Sequence, residues 1–277
     1  MTKVSVQLDK KTEDKIKEMI TYVRTLNDKT ERVVLDTISK KLDSTLVKRQ
    51  VSQVKAFASA TDEELRQWLI SELPTQYIGG VNVVNGKLKK PKLTYEEFEK
   101  SEDTLFHRDA VNILLSDAYL DFGNTLNGVV KGAERMMTDA LKQQIRANIV
   151  TGEIEGSSVR TIAKDITQTF QKEGFRAMVN RAGTQYSLEG YSEMLARTHL
   201  IKSGGEGVIN RVKEVGNDLV EWSADGEGVC EICDALDGKV FSISGDSENY
   251  DELPDYPAHP NCRCALLPRP DLDIDEK

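Results

Sequence analysis

The sequence predicts a mainly α-helical fold, with an elongated helical body followed by a small α+β C-terminal module. Three observations support this prediction. Apolar residues recur at spacings of three and four over most of the 277 residues. Aromatic residues are sparse, at 6%, and charged residues make up 30%, which suits loosely packed helices better than a deep globular core. All four cysteines lie in the last quarter of the chain.

The net charge of −9 is unevenly distributed along the chain. Residues 221–277 hold 15 acidic and 4 basic side chains, whereas residues 1–220 hold 31 acidic and 33 basic ones. Because an acidic module repels nucleic acid, we expect any DNA contact to come from the body. No apolar run reaches the length of a signal peptide or of a membrane span, so we expect synthesis in a reducing cytoplasm and no membrane partner.

The first segment, residues 1–92, is predicted to be a helical arm with a Gly/Lys-rich loop. Residues 9–57 carry a narrow apolar stripe between many charges, which is typical of one or two long helices. Such a stripe either docks on its own domain or binds another chain. Thr61–Glu64 has the spacing of a capping box, and Pro74 is expected to end the helix that follows.

The loop of this segment is expected between residues 77 and 91. Val81–Val84 followed by Asn85-Gly86 predicts a hairpin or an extended loop that turns at the Asn-Gly pair. Four lysines make the next stretch basic, and they form either a DNA contact or an ordinary solvated surface: Lys87, Lys89, Lys90 and Lys92.

The second segment, residues 93–207, is predicted to be the helical body. Thr94 and Glu97 form a second capping box. Helical patterns cover residues 109–122 and 127–149, and another helix is expected to start at Ser157 or Ser158. A further helix is expected after Gly174, and its apolar face comprises Met178, Val179, Tyr186, Tyr191 and Leu195.

The boundary between body and module is expected near Ser203–Gly207. This glycine-rich stretch is either a break or a continuing helix whose small residues allow close packing. The cost of glycine inside a helix, about 1 kcal/mol relative to alanine, favours the break.

The third segment, residues 208–277, is the predicted module. A helical pattern resumes at Val208 and is expected to end at Gly216. Residues 219–222 alternate as in a short strand, and Asp237-Gly238 predicts a turn into a second strand.

The cysteines of this module form a metal-binding pattern. Cys230 and Cys233 are a C-x-x-C pair, and His259, Cys262 and Cys264 follow in H-x-x-C-x-C spacing. A C-x-x-C turn holds two sulfurs at a separation that suits one tetrahedral ion, and a distant segment then completes the shell.

This pattern predicts one structural zinc ion, which would stabilise a module too small to build a core alone. The sequence offers five candidate ligands for the four coordination positions of a structural zinc ion. We expect Cys230, Cys233 and His259 as ligands, with either Cys262 or Cys264 as the fourth. Buried reduced cysteines and a redox dithiol are the alternatives to a metal site.

The module resembles the C-terminal domain of Mu protein F-like phage head morphogenesis proteins. The resemblance covers residues 178–268, and His199 stands where that family commonly has an acidic residue or a threonine. It rests on these residues: Leu195–Thr198, Trp222, Asp225, Val229–Cys233, Leu236–Phe241 and His259–Cys264.

The resemblance implies a phage minor head protein that acts in head morphogenesis. Its partners would be the portal, the scaffold or the major capsid protein. It would lie inside the head or at the portal vertex of the virion after assembly in the host cytoplasm. It would aid DNA packaging or ejection, with any DNA contact through the basic body.

Two alternatives differ in class from this structural role. One is a zinc-dependent nuclease or peptidase, and the other is a non-specific DNA-binding protein. A catalytic zinc keeps one position open for water, whereas the excess of cysteines here favours a closed site. His107 and His199 are isolated in the sequence, so we expect packed or surface histidines rather than a catalytic base. The sequence therefore favours a protein that is not an enzyme.

Overall fold

The computed structural model describes residues 10–100, 104–151, 161, 164, 176–179, 185–224 and 229–272. The described residues are mostly helical, with a long helical body and a small sheet in the C-terminal region, as predicted. No described helix is both long enough and apolar enough to cross a membrane.

The chain begins with two helices, α1 (Lys10–Ile38) and α2 (Ser44–Lys87). The side chain of Asp43 accepts a hydrogen bond from the Leu46 amide at 2.8 Å, which caps the start of α2. The prediction of one or two long helices over residues 9–57 is confirmed, with the break at residues 39–43.

The length of α2 contradicts three predictions. No helix begins at the Thr61 capping box, Pro74 lies inside the helix, and Asn85-Gly86 does not turn a hairpin. The physical reason is packing, because one face of α2 is buried at a helical spacing that continues past Thr61 and Pro74 and up to Asn85. This face consists of Leu65, Leu69, Leu73, Tyr77, Val81 and Val84. Burial of these side chains outweighs the local cost of the proline and the glycines.

The turn that follows α2 leads into a short helix, α3 (Tyr95–Lys100). Lys89 adopts a left-handed conformation with φ of 54°. The predicted capping box is confirmed, since the Thr94 amide donates to Glu97 Oε2 at 2.9 Å and the Glu97 amide donates to Thr94 Oγ1 at 3.2 Å.

The next helix, α4 (Leu105–Thr151), is one continuous helix where two were predicted. The helix expected from Ser157 or Ser158 lies outside the described residues. The one expected after Gly174 is wrong at its start, because β1 (Arg176–Val179) and β2 (Gln185–Ser187) pair there in antiparallel register. Helix α5 (Leu188–Glu214) begins only after Ser187, whose side chain accepts a hydrogen bond from the Gly190 amide at 3.0 Å.

Helix α5 continues through the glycine-rich stretch, so the predicted break is wrong and the close-packing alternative is confirmed. A Cβ atom on Gly80 of α2 would lie 2.0 Å from the carbonyl oxygen of Gly204. One on Gly207 would lie 2.1 Å from the carbonyl oxygen of Tyr77. The two backbones therefore approach at a distance that only glycine permits. Helix α5 ends before Gly216, which has a φ of 73°, as predicted.

The C-terminal region is a three-stranded antiparallel sheet with one short helix. Strands β3 (Leu219–Ser223) and β4 (Val240–Ser242) were predicted, and β5 (Ala265–Pro268) was not. The strand order is β4-β3-β5, and α6 (Glu231–Asp234) lies between β3 and β4 in the sequence.

The buried core of this sheet includes residues from the helices. Val84 of α2 and Val208 and Val212 of α5 belong to the same buried cluster as Trp222 and Phe241. The C-terminal residues thus share their core with two long helices.

The described parts of the chain form two compact units. One contains residues 1–16, 68–119 and 194–277, and the other contains residues 17–67 and 120–193. The domain boundaries between residues 92 and 93 and between 207 and 208 stay a prediction.

A buried polar network lies in the first unit. The Tyr77 hydroxyl is 2.9 Å from Nδ1 of His107, whose Nε2 is 3.1 Å from a carboxylate oxygen of Glu214. Asn210 donates to the Tyr77 oxygen at 2.9 Å. His107 is 3% exposed and is therefore a packed histidine, as expected from the sequence.

Candidate metal centre

The C-x-x-C pair lies at the start of the short helix α6. Cys230 is the N-cap residue, Cys233 is in the last turn, and the Asp234 amide donates to the Cys230 carbonyl at 2.9 Å. Gly238 has a φ of 72° and donates to the Trp222 carbonyl at 2.9 Å, so the chain turns back along β3. Strands β3 and β4 therefore fix both ends of the segment that carries the two sulfurs.

The second group of donors lies on the turn before β5. The Cys262 amide donates to the His259 carbonyl at 3.2 Å, and Asn261 adopts a φ of 61°. Nδ1 of His259 is 2.9 Å from the Pro260 carbonyl oxygen. A carbonyl oxygen only accepts, so Nδ1 carries a proton, and in the neutral ring Nε2 keeps its lone pair.

The five predicted residues come together in space. Nε2 of His259 lies 3.2 Å from Sγ of Cys230 and 3.1 Å from Sγ of Cys233. The sulfurs of Cys233 and Cys262 are 3.8 Å apart. The donors form two groups that share Cys233, and all donor atoms within each group lie within 4.8 Å of one another: Cys230, Cys233 and His259, and Cys233, Cys262 and Cys264. Such a cluster could hold a metal ion.

The protonation of the cluster is strongly perturbed. The hydrogen bond with the Cys264 thiol lowers the pKa of Cys262 to about 5, while the same contact raises the pKa of Cys264. Burial raises the pKa of Cys233 to about 12. Several thiols packed this closely cannot all ionise without a cation, and a bound metal would supply that charge.

Aromatic residues cover the buried side of the cluster. Trp222 is fully buried in the same apolar cluster as Cys233, Cys262 and Cys264, so it packs beneath the loops that carry these sulfurs. Its ring centroid lies 5.3 Å from that of Tyr256, whose hydroxyl donates to the Cys264 carbonyl at 2.7 Å.

Arg263, the basic residue between the last two cysteines, is exposed and forms no ion pair within the described part of the chain. Asp225, one of the residues that carry the family resemblance, lies outside the described residues. His199 is 7% exposed and packs inside the protein.

One contact of the site was missed at the sequence level. The guanidinium of Arg197 donates to the side-chain oxygen of Asn261 at 2.9 Å, and the Asn261 amide donates to the Thr198 hydroxyl at 2.9 Å. The sequence singled out Leu195–Thr198 as a motif, but the spacing gave no sign that these residues hold the turn of the second donor group.

Comparison with known protein families identifies the family of this chain. A family model described as phage minor capsid protein 2 matches residues 5–263, which is nearly the whole chain. No curated protein and no solved structure matches significantly. The chain therefore belongs to the phage minor capsid protein 2 family, and the narrower resemblance to Mu protein F-like proteins stays a prediction.

Proposed function

We propose that this phage minor capsid protein acts in head morphogenesis at the portal vertex or inside the head. Membership of the family establishes a structural protein of the virion, and the family match over residues 5–263 is the observation that carries the proposal. The partners we propose are the portal, the scaffold or the major capsid protein. The long helices provide extended surfaces on which such proteins could dock.

We also propose that the cysteine and histidine cluster binds one structural zinc ion. Cys230, Cys233, His259 and Cys262 are the proposed ligands. Two thiolates on a tetrahedral zinc with bonds of about 2.3 Å lie about 3.8 Å apart, which agrees with the 3.8 Å between Cys233 and Cys262. The accessible lone pair on Nε2 of His259 suits the same ion.

Cys264 is proposed to donate its thiol hydrogen to the Cys262 sulfur without binding the ion. A zinc held by four protein groups has no position left for substrate or water. This closed shell is the reason to propose a structural role for the ion and to prefer the capsid function over a zinc-dependent nuclease or peptidase.

DNA contact is proposed only for the basic turn after α2. Four exposed lysines lie at the last residue of α2 and on the irregular segment that follows it: Lys87, Lys89, Lys90 and Lys92. Such a cluster would hold phosphates without reading base sequence, and its affinity should fall steeply with salt. Replacement of all four lysines by glutamine should abolish DNA retardation in a gel at low salt. Unchanged retardation would refute this contact.

The assembly proposal is tested by co-expression with the portal, scaffold and major capsid proteins of the same phage. We expect the chain to sediment with procapsids, and to be lost from them when the portal is omitted. Incorporation without the portal would indicate that the chain binds the shell or the scaffold. Exclusion from all particles would refute the assembly role.

The ligand assignment is tested by native mass spectrometry of three proteins. The unmodified chain should carry one zinc ion, Cys264→Ser should keep it, and Cys262→Ser should lose it. The two variants are matched, since each removes one buried sulfur from the same loop. The reverse pattern would assign Cys264 as the ligand, and an unmodified chain purified without any metal would refute the zinc site.

A further inference from the structure

The turn that carries the second donor group is held from outside the cluster. Asn261 lies between His259 and Cys262, and its φ of 61° is unusual for a residue with a side chain. Helix α5 binds the backbone amide and the side-chain oxygen of this residue. Thr198 accepts its amide hydrogen at 2.9 Å, and Arg197 donates to its side-chain oxygen at 2.9 Å. The left-handed turn is thus fixed by two consecutive residues of one helix.

Arg197 also binds the first turn of α1. Its guanidinium donates to the two carboxylate oxygens of Glu13, at 2.7 Å and 3.4 Å. The Arg197 side chain is 6% exposed and that of Glu13 is 31% exposed. A buried guanidinium needs its hydrogen bonds satisfied, so the position of Arg197 depends on both partners. A single side chain therefore bridges the metal-binding turn and the start of α1.

We propose that Arg197 is a positioning residue that fixes the His259–Cys262 turn for metal binding and couples the occupied site to the first turn of α1. This inference rests on the proposed zinc site. A shift of Asn261 displaces the donor on either side of it, because His259 and Cys262 are only two and one residues away. Residues that orient metal ligands through hydrogen bonds typically change metal affinity about 10–100-fold when they are replaced.

The coupling acts in both directions. If Glu13 and Arg197 favour the turn that binds the ion, the bound ion must favour the contact between Arg197 and Glu13 by the same factor. Metal removal should therefore loosen residues 10–16, which are far from the donors in sequence.

The first experiment measures zinc transfer from the full chain to a colorimetric chelator. Arg197→Gln removes the guanidinium, and we expect its zinc affinity to fall about 10–100-fold. Glu13→Gln should lower the zinc affinity by a smaller factor. Lys202→Gln is the matched control, because Lys202 lies on the same helix and pairs with Asp117 at 3.4 Å without touching the turn. It should leave zinc affinity unchanged.

The second experiment uses the unmodified chain, so it does not depend on the folding of a variant. Hydrogen exchange of residues 10–16 should quicken when the chelator removes zinc, and Arg197→Gln should exchange quickly with or without zinc. Cobalt substitution gives an independent signal, since a distorted donor set changes the visible absorption of the bound ion.

The outcomes separate the two proposals. An unmodified chain that binds no zinc would refute the site itself. A chain that binds zinc as tightly after Arg197→Gln as before would overturn only the inference about Arg197. Exchange of residues 10–16 that is the same with and without zinc would overturn the coupling.

Discussion

The contact between Gly80 and Gly204 offers a direct test of how α2 packs against α5. Alanine at position 80 would place its Cβ 2.0 Å from the Gly204 carbonyl oxygen, while alanine at position 79 would meet nothing within 4 Å. Both positions lie inside α2, so each replacement gains about 1 kcal/mol of helix propensity. Only Gly80→Ala must also force the two backbones apart, and overpacking of this kind costs about 1–3 kcal/mol.

The two variants should therefore change stability differently. Gly79→Ala should raise the melting temperature by about 2–4 °C, since 1 kcal/mol corresponds to a shift of that size in a domain of roughly 150–250 residues. Gly80→Ala should melt about 2–12 °C below Gly79→Ala, because the overpacking cost applies to it alone. Circular dichroism during heating measures both. A Gly80→Ala protein that is as stable as Gly79→Ala would show that the backbones do not approach this closely.

Three further predictions follow from other contacts. Hydrogen bonds from the Thr94 amide and hydroxyl lower the pKa of Glu97. The ionised carboxylate therefore stabilises α3 at pH values above its unfolded pKa of about 4.5. This stabilisation is lost as the pH falls through the lower pKa of the folded state. Glu97→Gln should therefore quicken hydrogen exchange of α3 at neutral pH but not in acid, and an equal effect at both would contradict the assignment. Tyr77→Phe leaves His107 and Asn210 without their shared partner and should cost about 1–3 kcal/mol in urea unfolding; no loss would show that water replaces the hydroxyl. Chelation of zinc should shift the tryptophan fluorescence of the C-terminal sheet while most helical circular dichroism remains, and full loss of helicity would show that the whole chain unfolds as one.

The sequence predicted the helical class and the donor cluster because both depend on local patterns. Helical spacing identified the stretches that became α1, α4 and much of α5. The spacing of Cys230 with Cys233 and of His259 with Cys262 was enough to predict the donor cluster, since each pair lies on its own tight turn.

The errors concern places where packing overrides local signals. Pro74 and the Asn85-Gly86 pair are strong local breakers, yet α2 runs through both because its buried face continues to Val84. The same holds for Gly207, which favours a break on propensity alone but permits a close helix crossing. A single sequence does not reveal which other element of the chain will pack on a helix, and that packing decides whether the helix continues through a proline or glycine.

The hydrogen bond from Arg197 to Asn261 could not be predicted from the sequence for the same reason. The two residues are 64 positions apart, and neither spacing nor propensity relates them. β5 was also missed, because Ala265–Pro268 is a short apolar run whose strand character comes from pairing with β3.

The core shared between the C-terminal sheet and the helices has a consequence for synthesis. Val84 leaves the ribosome about 140 residues before Trp222, which at about 5–20 residues per second is a delay of roughly 7–28 s. During that interval Val84 lacks the side chains of the C-terminal sheet that cover it in the folded protein. Chains that end before the C-terminal sheet should therefore expose this apolar surface and be more susceptible to aggregation and proteases.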